Sequence, residues 1–175
     1  MNFPLSQGSV IAVCKKAEPG LPKLEVDAIQ LIKNYGVEGD YHAGEFVRHR
    51  YLAKKDPTKP NLRQVLLIDT KILAEIASQD IHLEPGMLGE NMIIDGIGLM
   101  ALPIGAQIEV GETLLELTEV RNPCYQLDEM HPGLQNAVQS KIAGREHRNA
   151  GMMAKILRGG WVQPGDPVIL FDKHV

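Results

Sequence analysis

The sequence predicts a mostly-β protein, a β-barrel with two or three short helices. Seven or eight short stretches are apolar or alternating, as is typical of strands, and turns rich in glycine and proline separate them. The strands follow one another instead of alternating with long helical stretches, which favours a barrel over a parallel α/β sheet. The 175 residues show neither an internal repeat nor a linker, so we expect one domain over residues 1–175.

The strands and helices have separate local signals. Residues 70–78 are predicted to form a helix that Asp69 or Thr70 caps. A second helix is predicted over residues 134–142, because apolar residues recur there at every fourth position. Short β-branched and apolar runs predict the strands. The predicted strands are residues 9–14, 63–68, 92–94, 106–110, 113–120 and 167–171.

Two stretches are ambiguous and two are predicted loops. Residues 26–32 and 152–157 fit either a strand or a short helix. Residues 36–44 hold three glycines with Asp and His between them, which predicts an irregular loop. Residues 48–61 are polar and hold two prolines, so they predict a surface loop long enough to suggest a functional role.

Composition narrows the class of protein. Hydrophobic residues make up 44% of the chain and charged residues 23%, and the formal net charge is −4. No basic footprint points to nucleic acid, and no Lys/Arg run or long apolar stretch points to a membrane. Residues 1–8 do not resemble a secretory signal, and two cysteines cannot make a disulfide framework. We therefore expect a cytoplasmic protein with free thiols.

Several common enzyme motifs are absent from the sequence. It holds no P-loop and no G-x-G-x-x-G fingerprint, so nucleotide binding of those types is unsupported. It also lacks H-E-x-x-H, a C-x-x-C pair and a G-x-S-x-G elbow.

Cys124 is the residue most suited to chemistry. It follows a proline at the end of a predicted strand, with Arg121 three residues before it. A thiol at a strand end tends to lie at a barrel rim, and a nearby guanidinium favours the thiolate, which attacks electrophilic sulfur and binds soft metals. A buried, inert thiol is the open alternative. For Cys14, inside an apolar strand, the inert interpretation is the better one.

Six polar residues near turns and strand starts are candidate binding residues. Asp40 and His42 are two positions apart and either orient a ligand or cap their own turn. Arg63 and Gln64 begin a strand, where they either reach a phosphate or a pterin edge or face solvent. The other two lie in a turn that they could simply complete. The six candidates are Asp40, His42, Arg63, Gln64, Glu90 and Asn91.

Taken in order, six segments of the sequence resemble one known family. The most specific pieces are Gly-Glu-Asn at 89–91 and Arg-x-Pro-Cys at 121–124. The chain resembles the MOSC domain, named after the C-terminal domain of molybdenum cofactor sulfurase, from about residue 10 to residue 171. The six segments are residues 36–44, 63–68, 83–91, 102–106, 121–124 and 159–168.

The resemblance implies a closed barrel like the one inserted in pyruvate kinase, and it makes Cys124 the signature cysteine. In that family the cysteine carries sulfur as a persulfide received from a pyridoxal-phosphate-dependent desulfurase, or it ligates molybdenum in molybdopterin. We expect pyridoxal phosphate only on such a partner, because the chain lacks the fused desulfurase domain. Tyr41 departs from the family pattern, since many members have arginine there, and the extra N-terminal domain of amidoxime-reducing members is missing.

Three functional hypotheses follow. In the first, a stand-alone MOSC protein binds molybdenum cofactor or carries sulfur on Cys124, with Arg121 stabilising the thiolate and Arg63 holding the cofactor's phosphate. If molybdenum is bound, reduction of N-hydroxylated compounds with an electron-transfer partner follows by analogy. The second is a zinc hydrolase that uses Cys124, His42 and His49. The third is a barrel that binds a pterin or a partner protein without chemistry.

Overall fold

Strands dominate the computed structural model, which describes residues 4–171 and the side chains of residues 6–139 and 143–171. The described strands are β1 (Pro4–Lys15), β2 (Leu24–Val26), β3 (Ile29–Ile32), β4 (Gly36–Val37), β5 (Val65–Asp69), β6 (Met92–Asp95), β7 (Gln107–Val110), β8 (Thr113–Val120), β9 (Gln139–Ile142), β10 (Arg145–Arg148), β11 (Met152–Arg158), β12 (Gly160–Val162) and β13 (Pro167–Phe171). The described helices are α1 (Arg50–Lys55), α2 (Thr70–Ala77), α3 (Gln126–Met130) and α4 (Leu134–Ala137), with one 3-10 turn at Leu99–Ala101.

Seven of these strands close into a barrel in the order β1, β13, β7, β8, β11, β5, β6 and back to β1. The long strand β1 makes the closure, because its first half pairs with β13 and its second half pairs with β6 and then β2. All neighbours in the ring are antiparallel except β5 and β6. Because the ring is closed, it has no free sheet edge. A free edge would expose unpaired backbone groups to strands of other molecules and so favour aggregation.

The barrel interior is an apolar core to which every strand of the ring contributes. Strand β8 shows the pattern that produces it, since Thr113, Leu115 and Leu117 are buried and alternate with half-buried residues. That period of two turns every second side chain inward. The core also includes Val10, Val65, Ile94, Ile108, Ile156 and Val168.

A second apolar cluster covers the outside of β5 and β6. Strand β5 is buried at every position, and its outward residue Ile68 belongs to the cluster that residues of α2, α3 and α4 complete. The parallel pairing of β5 and β6 requires a crossover connection, which residues 70–91 provide through α2. The helix starts at the predicted cap, where the Asp69 carboxylate accepts a hydrogen bond from the backbone N–H of Ile72 at 3.0 Å.

Two smaller sheets complete the described chain. Strands β12, β3 and β4 form a three-stranded sheet, and β9 and β10 form a hairpin. No helix within residues 4–171 is long and apolar enough to cross a membrane.

The predicted fold class, a mostly-β barrel with short helices, is confirmed. The six predicted strands are present. Of the ambiguous stretches, residues 26–32 hold the last residue of β2 and all of β3, and residues 152–157 lie in β11. Three expectations were wrong in part. The predicted loop of residues 36–44 begins with strand β4. Residues 48–61 contain helix α1, and the helix predicted over residues 134–142 ends at Ala137 before β9 begins. Residues 1–8 were not expected to be a secretory signal, and residues 1–3 of that stretch lie outside the described residues.

Candidate functional site

A cavity of about 260 Å³ lies at one end of the barrel. It is found where β5 and β6 begin, β8 ends and β11 begins, and residues 41–51 form a further wall. Strand ends meet here, so side chains from distant parts of the sequence face one another. Its described lining consists of Pro19, Gly20, Leu21, Lys23, Tyr41, His42, His49, Arg50, Tyr51, Arg63, Leu66, Gly89, Asn91, Arg121, Asn122, Cys124, Tyr125, Gln126 and Met153.

Arg121 and Cys124 lie together on this cavity. The backbone N–H of Arg121 donates to Gly151 O at 2.9 Å, which extends the ladder between β8 and β11 before the chain turns away. The Arg121 side chain is only 6% exposed, whereas Cys124 is half-buried. Burial lowers the pKa of Arg121, and the nearby Cys124 and Glu90 oppose that shift. The cation is thus held against the sulfur, and its Nη1 atom has no partner among the described residues.

Behind the cavity wall lies a buried ion pair. Lys23 Nζ is 2.8 Å from Asp40 Oδ2, with the two side chains 5% and 2% exposed. Asp40 also accepts hydrogen bonds from the backbone N–H of His42 at 3.0 Å and from Asn91 Nδ2 at 3.1 Å. Burial alone would raise the pKa of Asp40, but the hydrogen bond from His42 and the charge of Lys23 outweigh it and leave the pKa below its ordinary value. Asp40 is therefore an anion that positions its neighbours.

Glu90 and Asn91 hold the turn before β6. The Glu90 carboxylate is 1% exposed and accepts from the backbone N–H groups of Gly86 at 2.6 Å and Leu88 at 3.1 Å. Burial raises the pKa of Glu90. Asn91 lines the cavity, and its side chain accepts from Leu66 N and donates to Cys14 O, both at 3.1 Å. These contacts tie β1, β5 and β6 together at the cavity floor.

Arg63 and Gln64 lie on different sides of the chain. Arg63 lines the cavity, and its Nη1 atom is 2.7 Å from Glu119 Oε1. Gln64 is buried; its side chain accepts from Ile156 N at 2.8 Å and donates to Asn61 O at 2.7 Å. Alternation along an extended chain explains the difference between these two neighbours.

The structure thus brings five of the eight sequence candidates to one cavity. Cys124, Arg121, His42, Arg63 and Asn91 line it. The other three, Asp40, Glu90 and Gln64, are buried beside or away from it and make the contacts described above.

Residues 45–61 form a strap over the cavity, and most of it is the predicted loop of residues 48–61 that was expected to have a functional role. The strap contributes three lining residues, His49, Arg50 and Tyr51, from the start of α1. Burial lowers the pKa of His49, and the charges of Arg63 and His42 act in the same direction. His49 was a candidate only in the zinc hypothesis, and Arg50 and Tyr51 were not singled out, because polar loop residues without apolar periodicity give no local sequence signal.

Lys23 is the other important residue that sequence reasoning missed. It follows the turn at residues 17–22 as an ordinary lysine, and nothing local shows that it is buried. With Lys23, the described lining holds four Lys or Arg side chains and no Asp or Glu, although the whole chain has a net charge of −4. An anionic ligand suits such a cavity.

The second hypothesis finds no geometric support. Among residues 4–171, no three His, Cys, Asp or Glu side chains converge in a group that could hold a metal ion. Cys124, His42 and His49 share the cavity without forming such a group.

The fold and site define a small closed β-barrel with a half-buried cysteine in a cationic cavity at one end. The family model of the MOSC domain matches residues 40–169, so the chain belongs to the MOSC domain family. That family is generally associated with molybdenum cofactor.

Solved structures agree on the fold. The YuaD protein from Bacillus subtilis superposes with a TM-score of 0.78 at 19% identity, covering 99% of this chain and 100% of that one. YiiM from Geobacillus stearothermophilus gives 0.64 at 19% identity over 95% and 75% of the two chains. YiiM from Escherichia coli gives 0.61 at 18% identity over 95% and 71%. No curated protein matches this sequence.

Proposed function

We propose that this protein binds molybdenum cofactor in the cavity, with Cys124 as the protein ligand to molybdenum. One observation carries the proposal: the buried Arg121 guanidinium lies beside the half-buried Cys124 thiol and keeps one donor atom without a protein partner. Molybdopterin is an anion with a dithiolene and a phosphate group. A cationic cavity without carboxylates in its described lining suits such a ligand.

The residues of the chain have separable roles in this proposal. Cys124 supplies a soft sulfur ligand, and Arg121 holds positive charge against that sulfur. Asp40 orients His42, whose Nδ1 atom is 3.5 Å from the carboxylate, and Asn91 ties the cavity floor together. When bound, the cofactor would supply two-electron oxygen-atom chemistry, and an N-hydroxylated substrate would take two electrons from a partner protein and two protons from solvent to give the amine and water.

Metal and pterin content test the proposal directly. The protein is purified from a host that makes molybdenum cofactor, and molybdenum and pterin are measured per chain for wild type, Cys124→Ala and Cys14→Ala. Cys14 is the matched control because it is the other thiol, fully buried, and burial raises its pKa to about 12. We expect stoichiometric molybdenum in wild type and Cys14→Ala and its loss in Cys124→Ala. Wild-type protein without molybdenum and pterin would overturn the proposal.

A second candidate function, sulfur transfer, rests on the accessibility of the same thiol. Cys124 is half-buried, and the next residue, Tyr125, is 68% exposed, so a partner protein can approach this turn from outside. The Cys124 thiolate would attack the outer sulfur of a desulfurase cysteine persulfide. One S–S bond forms as another breaks, and the partner's cysteine leaves as a thiolate.

Mass spectrometry separates the two roles. After incubation with a pyridoxal-phosphate-dependent cysteine desulfurase and cysteine, a sulfur carrier gains the mass of one sulfur atom on Cys124 and none on Cys14. If neither a persulfide nor molybdenum is found, and a pterin still binds to Cys124→Ala, the barrel binds without chemistry at this thiol. Either thiol role requires a reducing compartment, and we propose the cytoplasm.

A further inference from the structure

Two residues that line the same cavity each hold a buried side-chain nitrogen without a hydrogen-bond partner. In the described part of the chain, His49 Nδ1 and Arg121 Nη1 are the buried side-chain nitrogen and oxygen atoms that lack a hydrogen-bond partner. His49 lies on the strap, directly before α1. Arg121 is far from it in the sequence and directly follows β8. Both residues line the cavity, and the charge of Arg121 acts on His49.

A buried polar atom without a hydrogen-bond partner lowers the stability of the protein unless a ligand supplies that partner. An unsatisfied buried polar group costs about 1–3 kcal/mol, and more when it is charged. The other buried or half-buried cations of the cavity are already paired, Lys23 with Asp40 at 2.8 Å and Arg63 with Glu119 at 2.7 Å. Among the described lining residues, His49 and Arg121 are therefore the ones with a buried nitrogen atom that has no partner.

We propose that His49 and Arg121 form an oxyanion subsite for a phosphate-type group, in which Arg121 Nη1 and His49 Nδ1 donate to different oxygens. A group with several oxygens suits two donors that come from separate walls, and the guanidinium makes its hydrogen bond charge-assisted. A neutral imidazole has one N–H, and the tautomer with the proton on Nδ1 presents it to the anion. The subsite rests on the same cavity as the proposed function but requires no molybdenum.

The assignment differs from the expectation that Arg63 holds a phosphate. The guanidinium of Arg63 is 12% exposed and already contacts Glu119, so an anion at that position would compete with a carboxylate. Arg121 has no such competitor at Nη1 among the described residues. We therefore predict that phosphate binding depends on Arg121 and not on Arg63.

Binding of inorganic phosphate tests the subsite. Phosphate is titrated by calorimetry, at constant ionic strength, into protein made in a host without molybdenum cofactor. A charged hydrogen bond contributes about 1.5–3 kcal/mol, so Arg121→Gln and His49→Ala should each weaken binding about tenfold or more. Arg63→Gln and Arg158→Gln, the latter an exposed arginine outside the cavity, should stay within about twofold.

We expect His49→Ala to fold, because α1 contains no buried residue and the strap can tolerate a truncated side chain. The test therefore remains valid even if Arg121→Gln misfolds. The subsite is overturned if wild type shows no saturable phosphate binding. It is also overturned if Arg63→Gln weakens binding as much as Arg121→Gln, or if His49→Ala binds like wild type.

Two further measurements show whether the subsite binds a free oxyanion or the phosphate of a larger ligand, and they test this inference separately from the proposed function. A simple phosphate monoester that binds more tightly than inorganic phosphate indicates the phosphate of a larger ligand, whereas equal affinity indicates a free oxyanion. Molybdenum loading without phosphate binding refutes the subsite alone, and phosphate binding without molybdenum refutes the cofactor proposal alone.

Discussion

Lys23 and Asp40 form the most deeply buried ion pair among the described residues, 2.8 Å apart. Removing one partner of such a pair leaves an uncompensated buried charge. We predict that Asp40→Asn lowers the free energy of unfolding by about 3–5 kcal/mol, measured by urea denaturation at neutral pH. Glu146→Gln, which breaks the exposed pair with Arg148, should cost at most about 1 kcal/mol and serves as the control.

The Asp40 carboxylate also makes the stability of the protein depend on pH. The pKa of Asp40 is lower in the folded protein than its ordinary value of 3.8, because the hydrogen bond from His42 and the charge of Lys23 outweigh burial. The contribution of Asp40 is therefore present above pH 3.8 and is lost as the pH falls below that value through the folded pKa. The stability difference between wild type and Asp40→Asn should shrink in this acid range. A difference that stays constant there would contradict the assignment.

At the residue scale, the sequence could predict that Arg121 and Cys124 lie at a barrel rim, but not that Lys23 lines the same cavity. The first two follow a recognisable strand, so their place at a barrel rim depends on local information. Lys23 is defined by a partner from another loop, and no pattern in the sequence records that contact. Gln64 shows the opposite error: a polar residue at a strand start suggested a binding role, yet its side chain completes the backbone of β11.

The strap formed by residues 45–61 is held by hydrogen bonds at its base, near Asn61, whereas helix α1 at its tip has little packing support. Asn61 is buried and donates from Nδ2 to His42 O at 2.9 Å and to Gly44 O at 3.0 Å, while its Oδ1 atom accepts from Arg63 N at 3.0 Å. Helix α1 within the strap buries no residue. The strap's position therefore depends on these base contacts more than on packing.

We predict that Asn61→Ala opens the strap more often. Loss of about 1.4 kcal/mol of hydrogen-bond free energy should raise the rate of tryptic cleavage after Lys54 or Lys55 about tenfold, provided that opening is fast relative to cleavage. Both lysines are exposed on α1. Asn136→Ala, at an exposed asparagine on α4, is the matched control and should cleave like wild type. Equal rates for the two variants would show that Asn61 does not hold the strap.

At the element scale, prediction failed where an element buries nothing or where a turn has an unusual sequence. Helix α1 has no apolar face, so periodicity could not reveal it. The helical spacing from residue 134 is real but short. Ala143 and Gly144, both with positive φ, make a tight turn that pairs β9 with β10. Such a two-residue hairpin turn usually holds Asn-Gly or Asp-Gly, and this one lacks that signal.

For the whole molecule, strand content was predictable and strand order was not. Closure depends on pairing between β1 and β13, the two ends of the described chain, and on one parallel pairing between β5 and β6. Pairings of such long sequence separation leave no mark in local periodicity. The resemblance to a barrel family supplied the closure that the residues alone did not.

The barrel seam gives the last prediction. At Gly8, strand β1 pairs with Val168 of β13 and passes so close to β6 that an added Cβ would lie 1.8 Å from Asp95 O. Backbone cannot yield as a flexible side chain does, so Gly8→Ala must displace one strand at the seam. We predict a loss of about 1–3 kcal/mol in the free energy of unfolding, measured by urea denaturation.

Gly98→Ala is the matched control, since Gly98 has an ordinary φ of −75° and an added Cβ would come no closer than 3.6 Å to Lys71 Nζ. It should change stability by at most about 0.5 kcal/mol, or raise it slightly by restricting the unfolded chain. Hydrogen exchange adds the location: in Gly8→Ala, amide protection should fall first in β1, β6 and β13, because the seam is where the strain enters. Uniform loss around the ring would mean that the barrel responds as one unit and that closure at β1 is no weaker than any other pairing.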